Sequence, residues 1–323
     1  MSLFFRFSVG LLAFLAFTIW GGQAVFAQEL TAKEFPLSTR PVVLLSVAAP
    51  SPNTWDSNPG RKLTGYLGNR SCAASSCHGN PSRADLLQSA AHFYQDYDPH
   101  GKAGVLLYDD RSAEMMARLG ISIPAWKFEA CLRCHAPGGL SPNLDLGTAI
   151  AEGVGCESCH GSASKWVAPH RSEAWNFPAQ WSSSAKNAAG FVETKHLPTR
   201  AEMCVACHVG SPGQQVTHDL IAAGHPRLTF EFAAYQSLLP FHWRRSDDSR
   251  RLANQNQTRD EVSLEAQSWL IGQLVTARAE SRLIRESISC ETASFPELSQ
   301  YDCFACHHDL SHPSARQTHR SSR

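Results

Sequence analysis

Apolar positions recur at helical spacing near the end of the chain, at Val262, Ala266, Trp269, Leu270, Leu274, Ala277 and Ile284. Thr258 with Glu261 three residues on reads as a capping box, so this stretch predicts the longest helix, a packing helix starting at Thr258. A second helix is predicted from Pro226 to Leu239, with Pro226 suited to its first turn and Pro240 ending it. Its Phe230, Phe232 and Tyr235 read as core or packing residues. A third is predicted from Ala103 to Leu119, stopped by Gly120. Strand-like alternation is scarce, so the pattern predicts a mainly α, loop-rich fold.

The ends read differently. Arg6 precedes an apolar run from Phe7 to Trp20, and small residues follow up to Ala27. This is the pattern of a secretory signal peptide, residues 1–27, cleaved before Gln28. The run is shorter than the roughly 20 residues of a spanning helix; an uncleaved anchor is the alternative. Residues 28–65 form an N-terminal extension and linker, with Ser, Pro and Asn concentrated from Ala48 to Gly60. A body at 66–310 and a polar tail at 311–323 complete the organisation. With 29 basic and 29 acidic residues, no bias toward nucleic acid follows.

Candidate chemistry changes the picture. Cys-x-x-Cys-His occurs four times, at Cys131–Cys134–His135, Cys156–Cys159–His160, Cys204–Cys207–His208 and Cys303–Cys306–His307, with a stretched form at Cys72–Cys77–His78. With 11 Cys and 15 His in 323 residues, shuffling yields about 0.02 regular copies. The spelling is that of covalent haem c attachment. Residues i, i+3 and i+4 share one helix face, so two thiols bond the macrocycle and the adjacent imidazole takes the iron as its proximal ligand. Disulfides leave the following His unexplained, and zinc wants four ligands where each unit supplies three. At Cys72–Cys77 the thiols are five apart, which demands a looped backbone built from Ala73 to Ser76; a disulfide is the competitor there. Five haem c groups consume ten cysteines, and Cys290 receives no role. About 59 residues per group remain once the signal is removed, so the cofactors replace much of an ordinary core.

Ten further histidines compete for the sixth position of each iron. His100, His170 and His225 stand out as distal candidates because Pro or Gly neighbours fix their backbone. His218, His92, His242 and His308 rank second, and His196, His312 and His319 read as surface residues. Gly153, Gly155 and Gly161 permit close approach of a haem edge.

The segments Cys72–Gly79, Asp98–His100, Glu152–Gly161, Trp166–His170, Cys204–Gly210, His218–Leu228 and Cys303–Leu310 resemble multihaem c-type cytochromes similar to the tetrahaem electron carrier that serves hydroxylamine oxidoreductase (cytochrome c-554/c-prime-like). The resemblance implies a helical multihaem fold organised around stacked haems, bis-His iron and one-electron transfer. It implies His170 on the first iron, His100 on the third and His225 on the fourth, and it leaves the His135 iron open. A fifth motif and the N-terminal extension depart from that family.

Two function classes follow. One is an exported, periplasmic electron carrier passing single electrons between redox proteins, with no membrane span after cleavage and no catalytic residue. The other is a haem-dependent oxidoreductase acting at a five-coordinate iron, for which the chain carries no recognisable proton-donor motif.

Overall fold

The computed structural model describes residues 65–243, 264–290 and 295–308. The signal peptide, the extension and linker, the start predicted for the longest helix, the polar tail, and His312 and His319 lie outside the described residues. Among the described residues the architecture is helical, with no strand beyond an isolated bridge between Ser211 and Gln214. No helix among them is long and apolar enough to cross a membrane.

Three small cores are strung along the chain. The first is formed after α1 (Ala90–Tyr97) by α2 (Asp110–Arg118), α3 (Glu129–His135) and α4 (Leu146–Glu152). They bury Leu107, Met116, Leu132 and Ile150 together. The predicted helix from Ala103 to Leu119 is two pieces, a 3-10 turn Val105–Tyr108 and then α2. Asp109 is extended between them (ψ 150°), an N-cap conformation that restarts the helix. Ser112 Oγ donates to Leu106 O across the break. Gly120 does end the helix, at φ 69°.

The second core follows α5 (Cys156–His160) and is aromatic. Trp166 and Trp175 are buried with Ala163 around α6 (Val167–His170) and α7 (Ser183–Ala188). The third packs α8 (Leu197–His208), which comes before the short α9 (His218–Ala223), against α10 (Phe232–Leu238) and α11 (Leu264–Ser289). Phe232 is 1% exposed at its centre. The predicted helix from Pro226 begins six residues later, because the Glu231 carboxylate accepts from Ala233 N and Ala234 N and caps α10 there. The long helix is confirmed, yet its buried stripe is not the predicted one. Ser268, Gly272, Val275 and Leu283 face inward, while Trp269, Leu270, Leu274 and Ile284 are exposed. Small residues win the interface because α10 comes so close: a Cβ on Gly272 would lie 2.6 Å from Phe232 Cβ. The described chain ends in a four-residue turn, α12 (Cys303–Cys306).

Candidate haem sites

Four of the five motifs sit on helices, α3, α5, α8 and α12, whose last turn or C-cap carries the motif histidine. The first motif loops, as its spacing requires. His78 N donates to Cys72 O, and Gly79 N and Cys77 N both donate to Ala74 O. Gly79 is indispensable to this loop, since a Cβ would fall 2.1 Å from Ala73 O. Cys72 and Cys77 are not joined by a disulfide.

Every motif histidine faces a second histidine across a gap of one size. Ring centroids are 6.3 Å apart for His78 and His170, 6.3 Å for His135 and His225, 6.2 Å for His160 and His242, 6.0 Å for His208 and His100, and 6.2 Å for His307 and His218. An imidazole nitrogen binds a metal at about 2.0–2.1 Å, and it lies about 1.1 Å from its ring centre. Two imidazoles on opposite sides of one metal therefore have centres about 6.3 Å apart. The residues fit a haem iron at each of the five places. Two imidazoles per centre, beside two thiols, match a macrocycle that supplies the other four ligands. Among the described residues no group of three or more His, Cys, Asp or Glu forms a metal cage.

Hydrogen bonds fix which nitrogen is presented. His78 donates from Nδ1 to Leu87 O at 2.7 Å, His135 to Ala103 O at 3.0 Å and His225 to Pro226 O at 2.8 Å. A carbonyl only accepts, so Nδ1 carries the proton and Nε2 keeps its lone pair, as metal-bound histidines do. His100 differs: its Nδ1 lies 2.9 Å from the Asp98 carboxylate, which also accepts from His100 N. His170 has a buried Nδ1 with no hydrogen bond, and it is held instead edge-to-face by Trp166 and Trp175. Burial lowers the pKa of His160, to about 3, and those of His170, His208, His225 and His242, favouring the neutral ligand form. Asp98 raises that of His100.

The pairing differs from the one the family resemblance implied. His170 faces the first motif. His100 faces His208, the fourth, and not the third; His225 faces His135, the second, and not the fourth. The His135 position, expected to be open, therefore has an imidazole opposite it. His242 and His218, ranked second by sequence, complete the third and fifth pairs. Their neighbourhoods give little local signal, because neither has the adjoining Pro or Gly that marks His100, His170 and His225. Of the rest, His92 lies 3.2 Å from Gly79 O, His196 bonds Thr199 and His308 bonds Phe304 O.

Residues within and beside the motifs join the sites, and these escaped the sequence reading. Glu157, 3% exposed, accepts from Leu67 N, Gly68 N and Ala163 N at 2.7–2.8 Å. Burial nonetheless raises its pKa. Asn69 Oδ1 accepts from Cys156 N at 2.9 Å, and Glu152 accepts from Asn69 N. Together they clamp the first motif onto the third. The sought-after glycines serve backbone contacts here: a Cβ on Gly153 would meet His100 O at 2.3 Å, and one on Gly161 would meet Gly190 O at 2.0 Å.

Residues 71–161, which hold three of the motifs, match the family model of cytochrome c554 and c-prime. Over this stretch the chain resembles that c-type cytochrome family, which supports a haem c-binding electron carrier with redox partners. No curated protein and no solved structure matches the chain.

Proposed function

We propose that the chain is an exported, periplasmic five-haem c-type cytochrome whose irons are all held between two imidazoles and which passes single electrons between redox proteins. The observation that carries this reading is the set of five histidine pairs at one metal-spanning separation. When bound, each haem supplies a one-electron Fe(III)/Fe(II) couple. The chain's part is to fix both axial rings, so that oxidation and reduction proceed with little rearrangement, and to fill each sixth position against small-molecule ligands. That filling argues against the oxidoreductase reading, which needs a vacant position.

Intact-mass and visible spectra of the protein isolated from the periplasm test the reading. Five tetrapyrrole increments on the processed chain, a sharp Soret band and only low-spin ferric signals are expected. A bare polypeptide, fewer than five increments, or a high-spin centre in the native protein overturns it.

A further inference from the structure

Four separate contacts place the five sites in one order. The segment leading into Cys72 is tied to the third motif: Asn69 Oδ1 accepts from Cys156 N, and Glu157 accepts from Gly68 N. The third site reaches the fourth through Trp243. Its ring meets His242 at 5.1 Å, and the Arg200 guanidinium, one helical turn before Cys204 on α8, covers it at 5.1 Å. The fourth site touches the second at Gln214, 4% exposed, whose Nε2 lies 3.2 Å from both Cys207 Sγ and Cys134 Sγ. The second joins the fifth through α9, which opens with His218 and ends at Ala223, two residues before His225. Glu297 accepts from His218 N, while Arg227 reaches Cys303 Sγ at 3.2 Å and Tyr301 O at 3.1 Å, binding the last motif to this helix.

Burial distinguishes the ends of that series from its middle. Between the cysteines, Leu132 and Arg133, Glu157 and Ser158, and Val205 and Ala206 are all buried. The corresponding turns of the first and fifth motifs are open: Ala74, Ser75 and Ser76 are exposed, and so is every residue from Cys303 to His308.

Resting on the five-haem reading, we infer that the sites form a single file, His78/His170, His160/His242, His208/His100, His135/His225, His307/His218, with electron exchange at its two ends. The fifth motif is therefore a terminal port appended to the second site by α9. Each electron taken from a one-electron donor at one end reduces one ferric site, which returns to ferric as its neighbour is reduced. The last site gives the electron to a one-electron acceptor such as an oxidised c-type cytochrome. No bond is made or broken and no proton is required.

The test uses the full haem-loaded chain in a Cys290→Ser background. A ruthenium photoreductant is tethered at Ser75→Cys or at His308→Cys, and the fifth iron is marked by His218→Met, which raises its potential and gives it a distinct absorption. After a flash, the marked site is expected to be reduced at least tenfold faster from the position-308 label than from the position-75 label. Both rates are expected to be independent of protein concentration. Equal rates, or faster arrival from position 75, overturn the order. Should H218M lose the fifth haem, a redox titration reads the order instead. One remaining midpoint potential, that of a site with crossed axial rings, is expected to move while three stay in place. Movement of a parallel-ring site, or of several sites, overturns it. A chain without tetrapyrrole mass increments would fail the five-haem reading, not the order.

Discussion

His78 and His170 lie nearly parallel, their ring planes 20° apart across the 6.3 Å gap. His307 and His218 are close to parallel too, at 31°, whereas the other three pairs cross at 76°, 82° and 86°. Parallel axial imidazoles lift the near-degeneracy of the iron π-symmetry d orbitals, and crossed imidazoles preserve it. Electron paramagnetic resonance of the fully oxidised protein is therefore expected to show two rhombic low-spin centres and three of the highly anisotropic kind. Any other division contradicts the ring geometry.

The second iron is where the electron-carrier and enzyme readings part. His225 stands opposite His135, its Nδ1 anchored on Pro226 O. His225→Ala is expected to convert one of five centres to high spin and to let cyanide or nitric oxide bind it, while the wild type binds neither. Ligand binding by the wild-type ferric protein would instead show that this position is already open.

Asp98 gives the fourth site a carboxylate partner where His78, His135 and His225 use backbone carbonyls. A carboxylate makes the imidazole a stronger donor, which favours the ferric state. Asp98→Asn keeps an acceptor for His100 and removes the charge. One of five midpoint potentials is expected to rise, with haem content and spin state unchanged; potentiometric titration of both proteins decides it.

The five motif histidines are legible in the sequence because each directly follows its second cysteine. The distal partners are less so. His170 and His100 carry local signals, the adjacent Pro169 and Pro99, whereas no Pro or Gly adjoins His242 or His218. The family resemblance matched partners in a four-motif order, whereas here His218 faces the histidine of the fifth motif and His225 that of the second. Helix boundaries failed where a side chain overruled periodicity, as Glu231 does at the start of α10. The long helix was found from its apolar period, but its inward face was not. The close approach of Phe232 selects Gly272 and Ser268, residues that carry no hydrophobic signal.

Glu157 gives stability a pH dependence of determinable sign. Burial raises its pKa above the ordinary 4.5, so the folded state holds the proton more tightly than the unfolded chain does. Its contribution is then most favourable below 4.5, declines as pH rises through 4.5 toward the raised value, and is constant above. Stability of the wild type minus that of Glu157→Gln is expected to fall with pH across that window in chemical denaturation. A difference that is flat or rises with pH refutes the assignment. Glu157→Ala removes the acceptor of three backbone N–H groups and is expected to cost at least ~1–3 kcal/mol, the penalty for one buried orphan.

At Gly272 two effects of known size oppose each other. Alanine inside a long helix is ordinarily worth about 1 kcal/mol over glycine. Here the added Cβ would lie 2.6 Å from Phe232 Cβ, a contact that a flexible side-chain tip does not relieve because Phe232 is 1% exposed and locked in the third core. Overpacking of this kind costs typically 1–3 kcal/mol, so Gly272→Ala is expected to lower stability by up to about 2 kcal/mol net. Phe232→Gly removes the opposing Cβ and is expected to relieve the clash, so the double variant should lose less stability than the two single losses added together. Thermal or chemical denaturation of the four proteins closes the cycle, and strict additivity would mean that α10 and α11 do not meet at this pair.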